Sequence, residues 1–349
     1  MQTLSATVQA HGGCGIIGPY PYQPLLALFL QPLTLIPCHT ADTYWLIFNL
    51  ALWLGICMFS AYRVWRLHGS GRALLVAMIT MFFLPILTGI AFGSVHLVML
   101  AIMLAGIVLI EDGHDVMGGI ALGLGATLKY FPAFLILYYL LRGRWRAVTS
   151  ASITALALIL VEWLIVGRDV LLASIGAASS AVRAGATGFQ GGHWMGALPG
   201  GVALAYLAGT TFIVVVVWLQ RRPETSRGDL TLGAGWAIAT MLLLSPLVWW
   251  SYMTWLLPTL LACLDVALRY ASQPLASQGW RAWAARWWPL ATGFVAYALL
   301  LIPQINANFR EQALGTMLLW LLCGALYLWS AGVRLSQIVG HPVGRPVRA

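Results

Sequence analysis

The chain has 349 residues, of which 60% are hydrophobic and 8% charged, with a mean hydropathy of +0.85. Soluble domains carry about a quarter charged residues, so this composition excludes a soluble enzyme and identifies a polytopic membrane protein. The net charge of +9 would suit nucleic acid, but the arginines stand in short clusters between apolar runs, a pattern that sets membrane orientation instead.

Residues 1–40 contain no lysine, arginine or acid and no cleavable signal pattern. Their apolar stretch LLALFLQPLTLI, 25–36, is too short to span a bilayer, carries Pro32 and reads as an interfacial helix. Cys14 and Cys38 are free to pair if both lie outside, although nothing forces it. Cys57, Cys263 and Cys323 sit in apolar runs as packing residues, and no CxxC or metal-type spacing occurs.

Apolar segments follow at 41–61, 73–92, 97–110, 116–141, 147–167, 198–219, 230–248, 251–268, 287–303 and 313–333. Arginine clusters separate them: Arg63, Arg66 and Arg72; Arg142, Arg144 and Arg146; Arg221, Arg222 and Arg227; Arg269, Arg281 and Arg286; Arg334, Arg345 and Arg348. All five clusters are expected on the cytoplasmic side, so an even number of crossings must separate successive clusters. The interval from Arg72 to Arg142 holds three segments. Either one cluster is outside, or one segment enters and returns. Segment 116–141 is favoured for the second role, because Gly118, Gly119, Gly123 and Gly125 load its first half and Pro132 breaks it just past Lys129. The expected architecture is all-α: an extracytoplasmic segment 1–40, an integral domain 41–333 of about nine transmembrane helices plus a broken, re-entrant pair, and a basic cytoplasmic tail 334–349. With 1–40 outside and nothing visible to carry it across, a further helix is expected upstream.

Lys129 is the only lysine in the chain, and a charge within an apolar segment is a functional candidate by default. If the helix breaks there, the ammonium caps one half-helix. The free N–H groups near Pro132 then face the same spot, an anion site of the kind broken helices build. The bland reading is a lysine snorkelling to the interface from an ordinary helix. The glycines, including Gly119-x-x-x-Gly123, suit close helix packing.

The outer loop 168–197 carries Arg168, Asp169, Arg183, Gln190, His193 and Trp194. Arg183 and His193 suit a phosphate and Trp194 a sugar or lipid face, while a solvated loop with an aromatic anchor explains them equally well. In LLLSPLVWWSYMTWLLP, 242–258, Trp249, Trp250, Tyr252 and Trp255 make an aromatic belt, with substrate contact by Ser251 or Tyr252 as the additional reading. FGSVH, 92–96, is a tight outer turn in which His96 is either a loop residue or a hydrogen-bond donor to substrate. No HExxH, GxSxG, Walker or GxGxxG arrangement occurs. No cofactor is expected, and no outer acidic pair suggests a metal site.

Several stretches together resemble glycosyltransferase family 87, polyprenyl-phosphate-sugar-dependent enzymes of the C-type membrane superfamily. YPYQPLLALFLQPLTLIPCHTADTYWLIFN looks like the family's Tyr-Pro-rich entry to its second helix, and FGSVHLVMLAIMLAG is similar to its Gly-Gln-x-Asn turn and following helix. GGIALGLGATLKYFPAFLILYYLLRGRW matches its Gly-rich, Lys-x-x-Pro signature, and LLSPLVWWSYMTWLLP its Ser-Pro-x-x-Trp motif. The likeness covers about 20–265 and is most specific around Lys129. It implies transfer of a mannose- or arabinofuranose-type sugar from a polyprenyl phosphate carrier to a glycan or glycolipid outside the cytoplasmic membrane of a bacterium. Lys129, Arg168, Arg183 and His193 are then candidates for the phosphate side, and His96 and Tyr252 for substrate contact. Ser94 and His96 replace the turn's Gln and Asn. The family's aspartate general base lies between its first helix and the Tyr-Pro region, and this chain holds no acid before Asp42. Asp42 and Asp169 substitute only with a different geometry. A transporter or flippase for a lipid-linked or anionic substrate, and an inactive binding subunit of the same fold, are the competing expectations.

Overall fold

The computed structural model describes residues 24–174, 176, 193–220, 227–246, 248, 250–271, 280–306 and 309–330. Cys14, Arg183, Gln190, Trp249 and the basic tail lie outside them. The described elements are helices and helical turns. A short helix α1 (Pro24–Leu30) and a 3-10 turn (Gln31–Leu35) lead into α2 (Cys38–His68), α3 (Ser70–Met81) and α4 (Leu84–Ala91). Then come α5 (His96–Glu111), α6 (Asp115–Leu128), α7 (Ala133–Leu141) and α8 (Trp145–Val166). A 3-10 turn (Trp194–Ala197) precedes α9 (Gly201–Gln220) and α10 (Arg227–Leu244). A second such turn (Trp250–Leu256) precedes α11 (Leu257–Ala271), α12 (Trp280–Asn306) and α13 (Phe309–Ser330).

Among the described residues six stretches are long and apolar enough to cross a membrane: Cys38–Arg66, Ser70–Ala91, Trp145–Val166, Gly201–Leu219, Ser251–Leu268 and Arg310–Trp329. The other expected spans, α5, α10 and α12, are present as shorter apolar stretches. Ile153, Leu156, Leu160 and Leu164 are exposed along one stripe of α8, a surface that only a hydrocarbon solvent tolerates at this density. The chain is a multi-pass membrane protein.

The segment 116–141 is broken where the sequence reading placed the break. α6 ends at Leu128, and α7 starts after Pro132. The direction of return follows from three contacts between α6 and α8. Asp115 lies 3.6 Å from Arg144, Gly119 faces Ala147 and Ser150, and Gly123 faces Ala151 and Thr154. Residue numbers rise together on both helices, so α6 and α8 are parallel. The chain therefore climbs along α6, turns at Lys129 and comes back along α7 to the end from which it started. Fourteen residues of α6 rise about 21 Å, which puts Lys129 well inside the bundle.

Glycine makes that climb possible. A Cβ on Gly123 would run into the carbonyl oxygen of Ala151, and one on Gly119 into the carbonyl of Ala147. On the neighbouring face, Gly118 lies against Ile110, and Gly106 of α5 lies against Leu122. Small residues let backbones approach when no solvent drives helices together. Charges gather at the end where the hairpin opens: Arg63 holds Asp112 at 3.0 Å and Glu111 at 3.2 Å, beside the Arg144–Asp115 pair.

A second interruption, which the sequence reading treats as continuous, separates α3 from α4. Pro85 brings no N–H to the helical ladder, and two carbonyls at the break are taken up by distant side chains. The Tyr297 hydroxyl donates to Phe82 at 3.0 Å and the Thr254 hydroxyl to Pro85 at 2.9 Å. At the chain's start, α1 buries Leu25 and Leu26, and the Leu25 N–H donates to the buried Glu162 carboxylate at 2.9 Å.

Two outcomes follow. Gly123→Ala should destabilise the protein by about 1–3 kcal/mol through overpacking against backbone, whereas Gly55→Ala on α2, with nothing within 4 Å, should be neutral or stabilising; thermal unfolding in detergent compares them. Cysteines placed at exposed His114 and Arg146 should label from one side of the membrane. Labelling from opposite sides would rule out the hairpin.

Candidate functional site

Lys129 is the residue that closes α6. Its backbone is extended, φ −158° and ψ 133°, and its N–H still donates to Gly125 at 2.9 Å. The side chain is buried, with 6% of its surface exposed. The ammonium lies 3.0 Å from His96 Nε2. Aromatic rings enclose it further: Tyr252 with its centroid at 3.9 Å, Trp255 at 5.0 Å and Phe131 at 5.8 Å. Ring faces are negative, so each offers a cation part of what water would have supplied.

Each wall of this cage has a local cause. Gly93, at φ +60°, allows the tight reversal between α4 and α5, and the Trp45 indole of α2 donates to its carbonyl at 2.8 Å. His96 then opens α5 and is buried. The turn Trp250–Leu256 is tied down residue by residue. Thr254 donates to Pro85, and Trp255 donates from its indole to the His96 carbonyl at 3.0 Å. Met253 accepts from Thr316 of α13 at 3.6 Å. Tyr252 and Trp255 stack at 4.9 Å, and His96 lies 4.6 Å from Tyr252.

Three residues from separate parts of the sequence reading, Lys129, His96 and Tyr252, thus meet in one place. Of the other candidates, those among the described residues do not join them. Arg168 and Asp169 are exposed just past the end of α8, and Asp42 is exposed near the start of α2. These positions share the Lys129 end of the bundle without contributing to the cage. Arg183 lies outside the described residues.

His193 is a correction. Its Nδ1 accepts from the Met195 N–H at 3.2 Å, and its Nε2 lies 3.3 Å from the Leu244 carbonyl. Both nitrogens are committed to backbone, so the ring ties the outer turn to α10. Trp194 is corrected with it. Its indole is fully buried and donates to Leu242 at 3.0 Å, leaving no face for a sugar. The aromatic belt is corrected too, because Tyr252 and Trp255 are buried inward. So is the cluster of free N–H groups. Ala133, Phe134 and Leu135 donate to the carbonyls of Tyr130, Phe131 and Pro132. What gathers at the break is one cation and its rings.

A family model for glycosyltransferase family 87 matches residues 20–246, more than half of the chain and all of the Lys129 block. The chain belongs to glycosyltransferase family 87. Among curated proteins it is 27% identical over 252 residues to a polyprenol-phosphate-mannose-dependent alpha-(1-2)-phosphatidylinositol pentamannoside mannosyltransferase of Mycolicibacterium smegmatis, covering 70% of this chain and 60% of that protein. A protein of the same description from Mycobacterium tuberculosis is 24% identical, covering 71% and 58%. A phosphatidylinositol mannoside mannosyltransferase of that species is 24% identical, covering 72% and 63%. The chain spans about three fifths of the length of the curated relatives it matches. No solved structure matches. Within this family 87 chain the cage draws on both sides of the match boundary, since Tyr252 and Trp255 lie beyond residue 246.

Phe131 and Trp255 are the cage members that sequence reasoning missed. The i, i+3 spacing of Tyr252 and Trp255 beside a proline-broken helix was the available signal, although a membrane belt accounts for it equally well.

Burial holds the His193 imidazole below the ordinary histidine value of 6.5, and the Leu244 hydrogen bond pulls it partly back. A depressed folded value means that the unfolded chain binds the proton more readily. The stability this ring contributes is therefore complete above about pH 6.5 and lost as pH falls through the folded value. His193→Ala should lower stability at pH 7.5 by about 1–3 kcal/mol, because two buried backbone groups lose their partner. It should also flatten the loss of stability as pH falls below about 6.5, read by thermal melts across pH.

Proposed function

We propose that this chain is the membrane part of a glycosyltransferase that moves a mannose- or arabinofuranose-type sugar from a polyprenyl phosphate carrier to an extracytoplasmic glycan or glycolipid. The carrying observation is the lone lysine at the turn of a re-entrant hairpin, in a family 87 chain whose relatives are described as polyprenol-phosphate-mannose-dependent. In such a transfer an acceptor hydroxyl oxygen bonds to the anomeric carbon, and the bond from that carbon to the phosphate oxygen breaks. The lipid phosphate leaves with the electron pair, and the hydroxyl proton passes to a base. Lys129 is suited to the leaving phosphate, since a fixed cation in a site without water stabilises charge that grows on the departing oxygen. His96 and Tyr252 stand on the same ligand. The base falls to a carboxylate, and Asp42 and Asp169 are the exposed acids at the Lys129 end.

Charge and sulfur chemistry support an outward-facing active end. Arg63 and Arg144 mark the end where the hairpin opens, which is the cytoplasmic end by the positive-inside rule. Cys38, at the opposite end of α2, is disulfide-bonded, which suits an oxidising outer compartment. These signs favour a bacterial cytoplasmic membrane with the active end outside. The α3–α4 break gives the transporter alternative a second interrupted helix, but the two breaks do not repeat one another in sequence. Family membership supports the transferase reading.

The test is labelled-sugar transfer from polyprenyl phosphate mannose by membranes containing the full-length protein. Lys129→Met should reduce transfer at least about hundredfold without changing membrane insertion. Undiminished transfer would remove the phosphate role of Lys129.

A further inference from the structure

The contact between Lys129 and His96 fixes more than a distance. An ammonium carries three donors and no lone pair, so at 3.0 Å it donates and His96 Nε2 accepts. A neutral imidazole has one proton, and with Nε2 accepting it must sit on Nδ1. That Nδ1 is buried and has no hydrogen-bond partner. Two residues earlier, on the same turn, the Ser94 hydroxyl oxygen is also buried and without a partner. Buried polar groups are nearly always paired in native structures. Two unpaired groups on one four-residue turn, adjoining a buried cation, mark a place where a ligand supplies the partners.

Several backbone groups of the turn are engaged. The Gly93 carbonyl is held by Trp45, the Ser94 N–H by the Gly89 carbonyl and the His96 carbonyl by Trp255. The imidazole is therefore not waiting for a rearrangement of its own backbone. Tyr252 and Trp255 pack against the imidazole in tilted contact, with centroids at 4.6 and 5.3 Å, and stack on one another beside it. The Tyr252 ring lies 3.9 Å from the ammonium and stands where an anion would.

Building on the proposed reaction, we propose that the Gly93–His96 turn is the second half of the phosphate seat. Lys129 takes an anionic oxygen of a lipid-borne phosphate in place of the Tyr252 ring face. His96 Nδ1–H donates to a second oxygen of the same ligand, either on the phosphate or on the adjoining sugar, and the Ser94 hydroxyl completes the set. His96 has two tasks on two nitrogens: Nε2 orients the lysine, and Nδ1 holds the ligand.

Substitutions separate the two nitrogens. The amide of asparagine reaches the position of Nδ1, and that of glutamine the position of Nε2. Binding of geranylgeranyl phosphate to the purified full-length protein is the readout, with inorganic phosphate as competitor. His96→Asn, which keeps a donor at the ligand position but drops the lysine contact, should lose less affinity than His96→Gln. His96→Gln, which keeps only the lysine contact, should weaken binding about tenfold or more, as expected for a lost hydrogen bond to a charged group. His96→Phe should do at least as badly. Wild-type affinity in His96→Gln would overturn the proposal, as would equal losses in His96→Asn and His96→Phe. Inorganic phosphate competing as tightly as the lipid would overturn the assignment to a lipid-borne phosphate.

A second measurement needs no variant. In 15N-histidine spectra His96 should carry its proton on Nδ1, and that resonance should shift when geranylgeranyl phosphate binds. A proton on Nε2 would overturn the donor role directly. If Lys129→Met and wild type bind the lipid phosphate equally, the broader functional reading fails. The tautomer result still reports on His96 separately.

Discussion

A single ammonium group, taken out of water and given rings and an imidazole in exchange, organises this protein. Moving a charge into a medium of low dielectric is costly unless the surroundings are arranged for it. Among the described residues, Phe131, His96, Tyr252 and Trp255, from three distant stretches, do the arranging. Lys129 and Phe131 come from the break in the hairpin, His96 from the α4–α5 turn, and Tyr252 and Trp255 from the turn after α10. Each ring face offers the charge part of what water would have supplied. An anionic ligand would offer more, which is the role proposed for this site.

Depth comes from the hairpin. A straight helix through 116–141 would have carried the lysine into an ordinary span, with its head free to reach the interface. The turn at Lys129 instead stops the climb about 21 Å from Asp115, held between α5 and α8 by backbone contacts that only glycine permits. Irregular backbone inside a membrane survives only where protein covers it. The same rule governs the α3–α4 break, where Thr254 and Tyr297 occupy carbonyls of the interruption. Thr254 adjoins Trp255, so the element that repairs one break also walls the cage at the other.

Legibility in the sequence follows the range of the interaction. The hairpin was readable because its causes are local: four glycines before Lys129, Pro132 after it, and arginines whose parity left a return as one of two options. His96 and Tyr252 were readable as candidates, since a histidine in a tight turn and a tyrosine beside Ser-Pro are unusual in apolar surroundings. Their meeting was not. His193 and Trp194 misled for the opposite reason. A glycine-rich loop with a histidine and a tryptophan looks like a ligand surface, but both side chains turn inward and bond to the backbone of Leu242, Leu244 and Met195. Exposure is set by what packs above a residue, and the chain does not state that locally.

The amino-acid sequence by itself determined the membrane character, the arginine-marked end, the break at Lys129 and the kinship with family 87. Each rests on composition or on neighbours within a few turns of helix. Tertiary structure alone decided that the lysine is caged rather than snorkelling, which aromatic residues cage it, and that the outer-loop histidine is a strut. The cage depends on Tyr252 and Trp255, more than a hundred residues from Lys129, arriving within about 5 Å of it, and the strut on a carbonyl 51 residues further on; no local pattern encodes such encounters.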